Sequence, residues 1–194
     1  MKLKLYLFDT SKYTLEELYS LCEIPSNLEL DKYVNEMIKK EIVVSYFLKH
    51  KYIKNYSLNE FNKPISKDCY FNISHSHGLV GLLISKNAEV GLDIEYIKGY
   101  KENLKKHIAS EEEYSYINSN ESFYEIWTNK ESLLKCVGTG FVDLKIKDIP
   151  TLPLNGLKKY LNNNYYSKNF KYKNYIISVC LNCDTDFELQ IIEN

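Results

Sequence analysis

Residues 2–8, KLKLYLF, alternate polar and apolar side chains and predict a β-strand with Leu3, Leu5 and Leu7 on one face. SKYTLEELYSL, which follows, has the spacing of a helix. From Asp31, read as an N-cap, the positions of Val34, Met37, Ile38 and Ile42 predict a long helix reaching about Lys51. Its VVSYFL stretch is apolar nearly all round, so that part is expected to be buried with lysines at its margins. NKPIS is a turn signal. Three strands are then expected in CYFNIS, GLVGLLIS and EVGLDIE, separated by HSHG and KNA. After Gly99 the pattern becomes helical: Ser110 and Glu113 form a capping box at the start of EEEYSYI, and ESFYEIWTNKESLLKCV runs to a stopping glycine, Gly138. NYIISVCL and FELQIIE alternate as strands, with Pro150, Pro153 and Gly156 marking loops ahead of them.

Each half of the chain therefore carries helix and strand of its own, and the expected class is α+β. A hinge near residues 97–101 divides an N-terminal half, 1–98, from a C-terminal half, 99–194. Their coarse similarity of order allows two related halves, although no identity-level repeat joins them. No linker is rich enough in Pro, Gly or Ser to make them independent, and 194 residues suit one domain or two small halves packed as a unit. Five cysteines in a chain without a secretory signal argue against a disulfide framework, and CLNC leads into a strand rather than the helix a redox motif would open. No apolar run approaches the roughly 20 residues of a membrane span. A cytoplasmic protein is expected, with no membrane or nucleic-acid partner.

Charge adds one constraint and one asymmetry. All 25 Lys+Arg positions are lysine, so any phosphate must be held by lysine, backbone N–H, hydroxyl or imidazole rather than by a guanidinium fork. Residues 39–67 hold seven lysines against Glu41 and Glu60, while residues 89–125 hold nine acids against four lysines. Two solvated faces would explain this. So would a site where a basic segment meets an anion and an acidic one meets a cation.

Three segments could supply such a site. In VGLDIE, Asp93 and Glu95 lie two apart, which on a strand points both carboxylates to one face. Paired acids repel unless a cation lies between them, and oxygen-only donors suit Mg²⁺. In WTNKESLLK, Glu131 and Lys135 are four apart on a helix, near Trp127 and Leu134. In FNISHS, alternation places Asn72 and Ser74 on one face and leaves His75 at the strand end, where hydroxyl, imidazole and the backbone near Gly78 suit a phosphate. Alone, each segment also fits a plainer account: an acidic edge, a surface ion pair, a polar turn. His75 and His77 with Asp93 could instead form a zinc site, but neither His50 nor His107 has the spacing of a third ligand.

Taken in order, NKP, FNISHS, VGLDIE, WTNKESLLK and GTGF, spanning residues 63 to 141, resemble the 4′-phosphopantetheinyl transferase superfamily in its longer, pseudo-dimeric (surfactin-synthetase-activating) type. The resemblance implies two similar α+β halves packed as a pseudo-dimer. It implies an enzyme of the holo-[acyl-carrier-protein] synthase type, which moves the phosphopantetheine of coenzyme A onto a serine of an apo acyl, peptidyl or aryl carrier protein and releases adenosine 3′,5′-bisphosphate. Asp93, Glu95 and Glu131 match the family's acidic positions for Mg²⁺, and Lys135 its lysine toward the coenzyme A phosphates. Lys63, Ser74 and His75 match coenzyme-binding positions, Lys40 falls where the family often has an arginine, and Glu113 lies ahead of the metal-site helix. Asp93, Glu131 and Lys135 would carry the chemistry, with Glu131 or a metal-bound water as base, and a monomer is expected. A metal-dependent hydrolase using His75, His77 and Asp93, and a non-catalytic carrier-binding module, are the competing expectations.

Overall fold

The first strand, β1 (Lys2–Asp9), is buried on both faces from Leu5 to Phe8. Leu3, Leu5 and Leu7 share one face, as alternation predicts, while Tyr6 and Phe8 fill the other. A strand with two apolar faces has to lie between two layers, and the rest of the chain supplies them. The structure, a computed structural model, describes residues 1–24, 28–61, 63–138 and 146–194. Asn62 of the NKP turn and Thr139–Phe141 of GTGF lie outside the described residues.

The layer over Tyr6 and Phe8 is made by α1 (Leu15–Cys22) and α2 (Glu36–Tyr52), through Leu18, Val43, Val44 and Leu48. The cap of α2 is Asn35, whose side chain accepts the Met37 N–H at 2.9 Å. Asp31 is not the cap: the helix begins a turn later than the apolar spacing suggests, and Val34 stands fully exposed ahead of it. After a short hairpin, β2 (Ser57–Leu58) and β3 (Pro64–Ile65), come β4 (Tyr70–Ser76) and β5 (Leu79–Ser85). With β10 (Glu188–Glu193) they complete a sheet of order β10-β1-β5-β4, in which β10 alone runs parallel to its neighbour.

The second sheet contains β6 (Val90–Tyr96), β7 (Gly156–Tyr160), β8 (Asn163–Tyr172) and β9 (Tyr175–Leu181), in the order β6-β9-β8-β7. Its inner face, Val90, Leu92, Ile177 and Val179, packs on Leu3, Leu5, Leu7 and Leu83 of the first sheet. Its outer face is covered by α5 (Asn120–Val137), flanked by α3 (Glu102–Ile108) and α4 (Glu111–Tyr116). The result is an α+β fold. The Ser110–Glu113 capping box and the left-handed Gly138 cap (φ 83°) stand where the sequence puts them. The expected boundary near residue 98 follows β6, whereas β6 lies in the second sheet and β10 in the first. No helix among the described residues is long and apolar enough to cross a membrane.

The two sheets are also joined at an edge, without backbone pairing. Asn72, Ser74 and Ser76, on one face of β4, accept the Leu92, Ile94 and Tyr96 N–H groups of β6 through Oδ1, Oγ and Oγ at 3.0, 3.2 and 3.2 Å. Side chains two residues apart thus satisfy amides two residues apart, because both strands have period two.

Candidate active site

On β6, Leu92 and Ile94 face the inter-sheet core, which leaves Gly91, Asp93 and Glu95 on the face toward α5. Gly91 is what lets the helix come close. A Cβ there would fall 1.8 Å from Ser132 O and 2.5 Å from Cys136 N. Helix backbone therefore rests directly on strand backbone, and the residues flanking that contact on α5 are brought against Asp93. Trp127, Glu131 and Lys135, at intervals of four, form one stripe along the helix. They face Asp93, Glu95, Ser74 and His75 across a cleft of about 310 Å³.

The far side of α5 is held as firmly. Lys130 is fully buried, and its Nζ donates to Glu113 at 2.9 Å, Ile146 O at 3.0 Å and Ile149 O at 2.8 Å. Glu113 also accepts from the Thr151 hydroxyl at 2.5 Å. With every donor and acceptor engaged, this interior ion pair fixes the rotation of α5 and hence the aim of its neighbour Glu131.

Inside the cleft Lys135 Nζ lies 2.5 Å from Asp93 Oδ1 and 3.4 Å from Ser74 Oγ. Ser74 donates to the same Oδ1 at 3.3 Å, and Ser76 donates to Glu95 Oε2 at 3.0 Å. The edge-joining serines thus hold the two β6 carboxylates as well. Asp93 is 4% exposed, and its Oδ2 has no hydrogen-bond partner. Burial pushes the Asp93 carboxyl up to about 6, against the opposing pull of Lys135 and with a smaller upward push from Glu95. Burial, then Asp93 and Glu95, lift Glu131 to about 7, although Lys135 lowers it. Three acids share this space with one lysine, so the cleft is short of positive charge. Among the described residues, no three His, Cys, Asp or Glu side chains close into a ready-made metal cage.

Six of the sequence-derived site residues are brought together in the cleft: Ser74, His75, Asp93, Glu95, Glu131 and Lys135. Lys63 and Lys40 are engaged elsewhere. Lys63 Nζ donates to Glu89 Oε2 at 2.6 Å and to Cys136 O at 3.0 Å, capping the end of α5. Lys40 pairs with Glu36 at 3.0 Å along α2. His75 belongs to strand β4, not to the turn after it; the turn residues are His77 and Gly78, at φ 46° and 88°. The two histidines diverge. His75 Nδ1 lies 2.9 Å from Glu41 Oε2, whereas His77 stacks on Tyr96 with 4.9 Å between ring centroids. Glu41 was not among the residues the sequence singled out. Its only signal is a lone acid opening an apolar helical run, EIVVSYFL. The parts played by Asn72 and Ser76 were also unmarked, because their partners lie on a strand of the other sheet.

Residues 89–180 match the family model of the 4′-phosphopantetheinyl transferase superfamily. The chain is 40% identical over 89 residues to the 4′-phosphopantetheinyl transferase gsp of Aneurinibacillus migulanus, covering 42% of this chain and 37% of that protein. It is 30% identical over 117 residues to the 4′-phosphopantetheinyl transferase ffp of Bacillus subtilis, covering 55% and 51%. Against the 4′-phosphopantetheinyl transferase Sfp of Bacillus subtilis strain 168 it is 33% identical over 94 residues, covering 44% and 42%. The chain thus spans about half, or less, of the length of the curated relatives it matches. The matched stretch contains Asp93, Glu95, Glu131 and Lys135, so the part of the chain that supplies the carboxylates and the lysine of the cleft is similar to the 4′-phosphopantetheinyl transferase superfamily.

Proposed function

We propose that the protein transfers the 4′-phosphopantetheine group of coenzyme A to a serine of an apo acyl or peptidyl carrier protein. The serine oxygen forms a new bond to the phosphorus bearing the pantetheine arm, the pyrophosphate P–O bond breaks, and adenosine 3′,5′-bisphosphate leaves. One observation carries this reading: a single cleft sets three carboxylates and a lysine from the family-matched stretch beside a serine and a histidine of β4.

The donor set suits Mg²⁺. Asp93, Glu95 and Glu131 offer only oxygen, Asp93 Oδ2 is a buried oxygen without a partner, and burial leaves Asp93 and Glu131 reluctant to ionise without a compensating charge. Those three residues would hold the ion, and its contribution would be positive charge for the pyrophosphate. Lys135 now supplies the cation at Asp93. When coenzyme A binds, its ammonium turns to the phosphate charge and frees the carboxylate. Ser74 and His75 line the same cleft and complete the phosphate contacts. Lys40 and Lys63 would have to leave Glu36 and Glu89 to join them. The protein acts as a cytoplasmic monomer, its halves 1–98 and 99–194 forming a pseudo-dimer that supplies both sides of the cleft.

The test is to incubate the protein with coenzyme A, Mg²⁺ and a panel of apo-carriers, then weigh the carriers by intact mass spectrometry. Gain of one phosphopantetheine by at least one carrier, abolished by chelation, is the expected result. Unchanged carrier mass across the panel while coenzyme A is hydrolysed would favour the hydrolase instead.

A further inference from the structure

Glu41 takes no part in the chemistry above, yet it is 4% exposed and lies beneath the cleft, between α2 and the β4–β5 turn. Burying a carboxylate costs several kcal/mol unless its oxygens are satisfied. Both are. Oε1 accepts the Gly78 N–H at 2.6 Å, and Oε2 lies 2.9 Å from His75 Nδ1. Burial pushes the Glu41 carboxyl up, but the hydrogen bonds from His75 and Gly78 outweigh it and hold the group below the usual glutamate range. At neutral pH Glu41 is therefore a carboxylate, which only accepts hydrogen bonds, so the proton of this pair belongs to Nδ1. The other ring nitrogen, Nε2, is left for the cleft. The His75 side chain is 42% exposed and lines the cleft with Ser74 and Lys135.

We infer that Glu41 is a positioning residue for coenzyme A, fixing the His75 ring and its Nδ1 proton so that Nε2 addresses a phosphate. The inference rests on the functional reading above, in which His75 is a phosphate contact. An anion at Nε2 needs a donor there as well, so the bound ring carries protons on both nitrogens. Glu41 on one side and phosphate on the other then flank an imidazolium. The second Glu41 oxygen, on Gly78 N–H, keeps the strand end and the ring in register, because Gly78 is three residues from His75.

The test is a double-mutant cycle on the affinity for coenzyme A, measured by calorimetry in the presence of Mg²⁺. Glu41→Gln keeps an oxygen for Gly78 N–H but sets an amide N–H₂ against Nδ1, which removes the charge and the demand for a proton there. Glu41→Gln is expected to weaken binding about tenfold in the wild-type background and by less than about twofold in the His75→Ala background. Equal loss in both backgrounds would mean that Glu41 acts only through the turn, and would overturn the inference. If His75→Ala itself leaves binding unchanged, the phosphate role of His75 fails and the inference falls with it. If the wild-type protein does not bind coenzyme A, the functional reading fails first. Imidazole ¹⁵N NMR of the unsubstituted protein gives an answer that survives a poorly folding variant: His75 should show a protonated Nδ1 near neutral pH, and a bare Nδ1 would overturn the inference.

Discussion

At Asp93 the fold buries one carboxylate oxygen without a partner and sets the other on Lys135 Nζ at 2.5 Å. The carboxyl is pushed to about 6 from 3.8, mainly by burial. An acid whose pKa is higher in the folded than in the unfolded state binds more protons when native between those two values. Its contribution to stability therefore falls as pH rises from about 4 to about 6, and the full cost, on the order of 3 kcal/mol, remains above that. Asp93→Asn removes this titration while leaving Lys135, which is partly exposed, free to reach water. In cation-free buffer the variant should gain stability relative to the parent as pH is raised from 4 to 7, and it should have lost transfer activity. Parallel melting-temperature profiles for the two proteins would mean that Asp93 is not the buried titrating group. The sequence showed the DxE pair and, through the capped helix, the Glu131–Lys135 pair that meets it. It did not show that Ser74 and Ser76 would serve amides and carboxylates of β6, since those contacts cross between sheets some twenty positions apart.

Among the elements, β6 and α5 depend most on one position. Gly91 has no side chain where a methyl group would fall 1.8 Å from Ser132 O, and backbone on both sides leaves no flexible atom to yield. Gly91→Ala should cost at least the ~1–3 kcal/mol usual for overpacking, read as a lower denaturant midpoint. Because α5 would be forced away from Asp93, the variant should also need more Mg²⁺ for half-maximal activity. A midpoint within about 0.5 kcal/mol of the parent would show that the helix can shift freely. The Ser110–Glu113 cap and the Gly138 stop were legible because caps are local, whereas at the start of α2 the cap is Asn35 rather than Asp31, and Val34, Met37 and Ile38 of the expected stripe are exposed. The β7–β8 hairpin was not. Lys158 occupies an inward position, 3% exposed, with its Nζ on Pro153 O and Leu154 O at 2.9 and 3.3 Å, while Leu157 points out, so the alternation there reads inverted. Its two-residue turn, Leu161–Asn162, places both residues at positive φ (47° and 63°) without a glycine to announce it.

For the whole molecule, the last strand is a keystone that order along the chain does not reveal. FELQIIE reads as a strand of the C-terminal half, yet β10 pairs in parallel with β1, at the opposite end of the sequence. Phe187 is 2% exposed within the inter-sheet core, and Asn194 N–H donates to Leu7 O at 3.0 Å. Deletion of residues 187–194 should leave β1 without a neighbour on that side, lower the melting temperature by well over 10 °C and increase light scattering on warming. A deletion variant that melts like the parent would show that β1 needs no partner there. The class and the order of the motifs could be read from sequence because they rest on local patterns. The pairing of first and last strands depends on packing that closes only when both sheets are present.

The join between β4 and β6 has one more effect. A strand edge with free amides is a template on which another chain can add its own strand. On β6 the Leu92, Ile94 and Tyr96 amides are already taken, by side chains rather than by a backbone that could continue the ladder. Growth of the sheet stops there, with no proline, bulge or charged edge required. Two of the groups that stop it, Ser74 and Ser76, also touch Asp93 and Glu95. Closure of this edge and the placement of the acids are thus bound into the same few hydroxyls, so a change that reshapes one would disturb the other.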